Sequence, residues 1–162
     1  MLTTAQKTTL KAAIAADPVL SQYPNNSDGA FDISRKLDEV AVPQVIVWRT
    51  AVPKDEITMN GFDWTRLDNL SVGKARVWDG LFDNAQRITN PAKPNVRAGI
   101  ETVWTGTAAD LAVRAAVYEH CKRPATRAEA MFAVGTGTAL EPSVMAVEGS
   151  IPWPDVLDAR SM

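Results

Sequence analysis

The chain has one cysteine, one histidine and only 7% aromatic residues in 162, and its 19 acidic residues barely outnumber its 17 basic ones. Each scarcity excludes something. Cys121 alone closes no internal disulfide, which agrees with a reducing compartment. His120 and Cys121 are neighbours, so on a helix their side chains project about 100° apart. A zinc site would then need two further carboxylate ligands, and a thiol protease would need the two side chains to face each other. Packing within a helix is the simpler reading of the pair. The formal net charge is -2 with acids and bases mixed along the chain, so composition shows no footprint for nucleic acid. No apolar run approaches the length of about 18 residues that a membrane-crossing helix needs. The first residues lack an apolar stretch behind a basic segment, so a secretory signal is not expected and the cytoplasm is the expected compartment. No cofactor motif stands out. Residues 135–138, Gly-Thr-Gly-Thr, follow a helical pattern instead of a strand and lack a lysine, and Leu140 stands where a dinucleotide fingerprint wants glycine. They read as a helix cap and hinge.

What is present is helical periodicity. The stretch from Trp104 to Ala133 is richest in helix formers. Thr107 with Asp110 is a capping pattern, and from there Ala108, Leu111, Ala112, Ala115 and Tyr118 mark one helical strip. Val113, Ala116, Val117 and His120 mark a second, which predicts a helix with neighbours on most sides. Pro124 interrupts it, and Thr126 with Glu129 opens a shorter helix ending at Gly135, so the stretch predicts a helical hairpin.

Elsewhere Thr3 and Gln6 cap a first amphipathic helix that Pro18 closes. A second is expected from Ser27 or Asp28 to before Pro43. Val45 to Trp48 is β-branched and aromatic, but no convincing partner strand is visible, so strand and short helical turn both remain open. Pro53 opens a short helix through Met59 that Asn60-Gly61 breaks. Another runs from Asn69 or Ser71 to Asp83, where Gly73 and Gly80 are expected to mark the close approach of another backbone. Pro94 starts a further one. Of the five tryptophans, Trp48, Trp64, Trp78 and Trp104 are expected to fill core, whereas Trp153 sits in a final segment broken by Gly and Pro. The expected fold is mainly α: a helical bundle around the hairpin over residues 1–137, with an extended C-terminal tail over 138–162. Scattered acids such as Asp63, Asp68, Asp79 and Asp83 have the residue type for glycoside hydrolysis but read as solvated surface.

The blocks GFDWTRLDNLSVGKARVWDGLFDN, TNPAKPNVRAGIETVWTGTAADLAVRAAVYEHCKR and FAVGTGTALEPSVM resemble a group of small virion-associated proteins of tailed bacteriophages and prophages. The resemblance covers most of the chain and carries no catalytic signature. In plan, a helical domain with a projecting tail is similar to the neck proteins called head-to-tail adaptors. Those form a ring beneath the portal and send their C-terminal tails into it. The resemblance implies a non-enzymatic, cofactor-free virion protein, assembled in the host cytoplasm as a homo-oligomeric ring. Its partners would be the portal and other neck or tail proteins, with neither membrane nor specific nucleic acid. A capsid decoration protein, a tail component or a virion-carried wall hydrolase are the alternatives. Met145, Trp153, Pro154, Val156 and Leu157 are the residues expected to dock the tail on a neighbour, and deleting residues 139–162 is expected to spare the helices.

Overall fold

The computed structural model describes residues 1–59, 62–84 and 86–162. Among these the fold is largely helical, with 52% helix against 13% strand. In chain order come α1 (Thr4–Ala16), a 3-10 turn (Leu20–Gln22), α2 (Ser27–Leu37), β1 (Ile46–Trp48), β2 (Ala51–Pro53), α3 (Lys54–Met59), α4 (Thr65–Asp68) and α5 (Val72–Gly80). They are followed by β3 (Phe82–Asp83), β4 (Arg87–Thr89), α6 (Pro94–Val103), α7 (Ala108–His120), β5 (Lys122–Pro124) and α8 (Arg127–Met131). The chain ends with β6 (Ala133–Val134), β7 (Val144–Met145) and α9 (Trp153–Ser161). These elements form two compact units, Met1–Val47 with Pro124–Met162 and the continuous Trp48–Arg123. The chain leaves the first unit within β1 and returns within β5, and these two strands pair.

In the first unit, local chemistry sets the helix starts. Thr3 and Gln6 form the expected capping box: the Gln6 N–H donates to Thr3 Oγ1 at 3.3 Å and the Thr3 N–H donates to Gln6 Oε1 at 2.8 Å. Asn26 caps α2 by accepting the Gly29 N–H at 2.9 Å. Gly29 is required there, because a Cβ would stand 2.0 Å from the Pro24 carbonyl oxygen. Leu10 and Ile14 of α1, Ile33 and Leu37 of α2, Phe132, and Val156 and Ala159 of α9 close one core. The end of the chain therefore differs from the extended tail expected of it. Pro152 and Pro154 suit a helix start, and α9 packs against α1 and α2 because it carries apolar side chains that this core buries. Burying Val156 completely contributes about 2 kcal/mol.

The second unit contains a three-stranded antiparallel sheet, β2-β4-β3, in which Val52 and Phe82 both face Ile88 across the ladders. Phe62, Trp78, Phe82 and Trp104 build an aromatic cluster against it. Trp78 and Trp104 meet edge to face at 5.2 Å, and Trp78 and Phe82 at 4.9 Å. α3 ends at Met59 as expected, while the break at Asn60-Gly61 lies outside the described residues. α5 begins after its cap, Ser71, and stops at Gly80, short of Asp83. Gly73 and Gly80 do not mark a close backbone approach: a Cβ on either would meet nothing within 4 Å. α7 starts at its expected capping box but buries only the strip containing Val113 and Val117, while Ala108, Leu111, Ala112 and Ala115 stay exposed. After Cys121 the backbone turns into β5, which pairs with β1, and α8 belongs to the first unit. That pairing also resolves residues 45–48 as strand over Ile46–Trp48, its partner being a segment whose Lys-Arg-Pro composition gave no strand signal.

Candidate functional site

The C-terminal residues expected to reach a partner are distributed by the fold. Trp153 and Pro154 lie on the exposed side of α9, with Trp153 at 40% exposure, and Leu157 is half-buried. Val156 is fully buried and faces the first unit's own core. Met145 is half-buried in β7, opposite Ala133. The helix is also held by polar contacts. Lys7 Nζ lies 3.5 Å from Asp155 Oδ1 and 2.9 Å from Asp158 Oδ2, and the Leu2 N–H donates to Asp155 Oδ2 at 2.9 Å. Arg160 donates to the carbonyls of Tyr23 and Pro24, each at 2.8 Å. A segment so anchored offers Trp153 and Pro154 as a small surface patch, not a free tail.

The segment between β6 and β7 offers more. Thr136 Oγ1 donates to the Glu141 carbonyl at 2.7 Å, the Thr138 N–H donates to the same carbonyl at 3.2 Å, and the Glu141 N–H donates to Thr138 Oγ1 at 3.0 Å. These short-range bonds close a turn. Its base is stitched to the start of β1: the Ile46 N–H donates to the Gly137 carbonyl and the Ser143 N–H to the Ile46 carbonyl, each at 2.8 Å. Gly137, at φ +69, sits where a Cβ would come within 2.7 Å of Val45 Cγ1, so residues 135–138 form a fixed corner in place of the expected cap and hinge. The turn projects Leu140 at 94% exposure, with Val134 at 71% nearby in sequence. Sequence periodicity passed over both residues. The available signal was a lone large apolar side chain between turn formers, with no periodic partner to bury it.

The chemically suggestive residues of the second unit are buried or have partners within it. Cys121 is fully buried, and burial pushes its thiol up to about 12, far from the range of a reactive thiolate. His120 Nδ1 lies 3.6 Å from Glu56 Oε1, and Arg49 Nη1 donates to the same oxygen at 2.5 Å and to the His120 carbonyl at 2.9 Å. The Arg49 hydrogen bond holds the Glu56 carboxyl below its ordinary range. Asp63 accepts from the Thr65 N–H and hydroxyl, and Asp83 pairs with Arg87 at 2.6 Å, so two of the scattered acids have local structural partners. Asp110 closes the α7 capping box and takes Arg66 Nη2 at 2.6 Å; these bonds, Arg66 first, hold its carboxyl down to about 2. Among the described residues no three His, Cys, Asp or Glu side chains cluster as metal ligands, and no helix is long and apolar enough to cross a membrane.

No family model matches the chain, and neither a curated protein nor a solved structure matches it.

Proposed function

We propose that this chain is a structural protein of a tailed-phage virion, a head-to-tail adaptor that assembles as a ring beneath the portal. The observation that carries the reading is the turn between β6 and β7. It is closed by its own hydrogen bonds and presents Leu140, 94% exposed, to no partner within its own unit. A rigid apolar projection loses little conformational entropy on binding, as a repeated subunit contact requires. The sequence blocks that resemble small phage virion proteins supply the biological setting, and the helices α1, α2 and α9 supply a stiff body for the contact. In this reading two apolar patches dock: Leu140, Val134 and Met145 of the β6–β7 segment, and Trp153, Pro154 and the half-buried Leu157 of α9. Val156 acts only by keeping α9 in place. Identical contacts repeated around a closed ring would reinforce one another, so each interface can be weak.

Electron cryomicroscopy of purified virions carrying a tagged copy tests the proposal. Density for the chain between portal and tail is the expected result. Its absence from the particle overturns the proposal, as does a position on the capsid shell or along the tail, which would mark a decoration protein or a tail component.

A further inference from the structure

Within the second unit, Pro53, Lys54, Asp55, Thr58, Trp64 and Arg87, with Gln86 beside them, line a cleft of about 620 Å³. That volume falls in the range of small-molecule sites. Trp64 is the unusual member: three of the other four tryptophans are buried, whereas Trp64 is 55% exposed. It is nevertheless held. Phe62 meets it edge to face at 5.4 Å, and Phe62 in turn stacks on Trp78 at 5.8 Å and meets Trp104 edge to face at 5.7 Å. An indole held on one side by the core, with much of its surface open, is a platform that loses less freedom on binding than an unsupported side chain would.

We propose that this cleft binds a neutral pyranose, with a C–H face of the sugar ring stacked on Trp64. A sugar presents weakly positive C–H groups on one face and hydroxyls, each donor and acceptor, around its rim. The first suits the electron-rich face of an indole. The second suits planar side chains that offer several donors or acceptors, here the Gln86 amide, the Asp55 carboxylate and the Arg87 guanidinium. A nucleobase would stack equally well, but its phosphates call for uncompensated cations. Of the cations named here, Arg87 has its charge balanced by Asp83, to which its Nε donates at 2.6 Å while its terminal nitrogens are left for neutral hydroxyls, and Lys54 Nζ is drawn toward the Phe82 ring, 4.9 Å from its centre. The Asp55 carboxylate adds repulsion for a phosphate chain. This inference stands apart from the neck proposal, since neither requires the other.

Saturation-transfer NMR on the full chain, with maltose, N,N′-diacetylchitobiose and methyl galactoside as separate probes and oligothymidine as the control, tests it. Transfer to at least one sugar is expected, with affinity about tenfold weaker in Trp64→Ala and partly regained in Trp64→Phe. Gln86→Ala should weaken the same sugar without moving the melting temperature, which serves if Trp64→Ala proves unstable. Three outcomes overturn the proposal: no transfer to any of the three sugars, undiminished binding in both Trp64→Ala and Gln86→Ala, or salt-dependent binding of oligothymidine alone.

Discussion

Asp110 shows how much one side chain can be asked to do. It accepts the Thr107 N–H at 3.2 Å to close the capping box, receives Arg66 at 2.6 Å, and is 7% exposed. Both bonds favour the ionised form, Arg66 foremost, so its carboxyl is held from 3.8 down to about 2. A group with a lowered folded value stabilises the fold above its ordinary value and loses that contribution as pH falls toward the folded one. The stabilisation is therefore complete above about pH 4 and disappears toward about pH 2. Thermal melts from neutral to acid pH should show Asp110→Asn less stable than the parent at neutral pH, with the gap closing across that window. A gap that stays constant with pH would mean that the Arg66 contact contributes no charge-dependent stability. The capping half of this arrangement was legible from Thr107 and Asp110 alone. The Arg66 half was not, because Arg66 lies 44 positions away and only folding brings it near.

At the scale of elements, starts were legible and destinations were not. Thr3, Asn26, Ser71, Thr107 and Thr126 each donate or accept within a few residues, so they act before any tertiary contact forms. Whether a helix is then buried depends on what lies across from it. α9 illustrates the difference: its sequence reads as part of an extended tail, yet Val156 and Ala159 complete the core made by Leu10, Ile14 and Ile33. Deleting residues 139–162 is accordingly expected to unfold the first unit, with loss of its helical circular dichroism. Val156→Asp alone should cost about 3 kcal/mol or more in a denaturant titration, because it buries a charge without a partner. Full retention of helix and stability in the truncated chain would show that α9 is dispensable to this core. β1 makes the complementary point. Its β-branched composition was visible, but its partner β5 lies far along the chain, and a strand is decided only by pairing.

For the molecule as a whole, the two hydrophobic clusters divide cleanly between the units. One draws its buried residues only from Trp48 to Cys121, and the other only from segments before Val47 and after Pro124. A continuous segment with its own core is expected to fold by itself. Residues 48–123, expressed alone, should melt cooperatively and keep the near-ultraviolet dichroism of the Trp78–Trp104 cluster. A fragment that shows neither would mean that the core does not suffice on its own. By itself the sequence determined the largely helical class and most helix starts, since propensity and capping act over a few residues. Only the tertiary structure decided that the C-terminal helix is core and that Leu140 and Trp64 are exposed. Burial depends on residues distant in the chain, and short-range periodicity carries no record of which of them will meet.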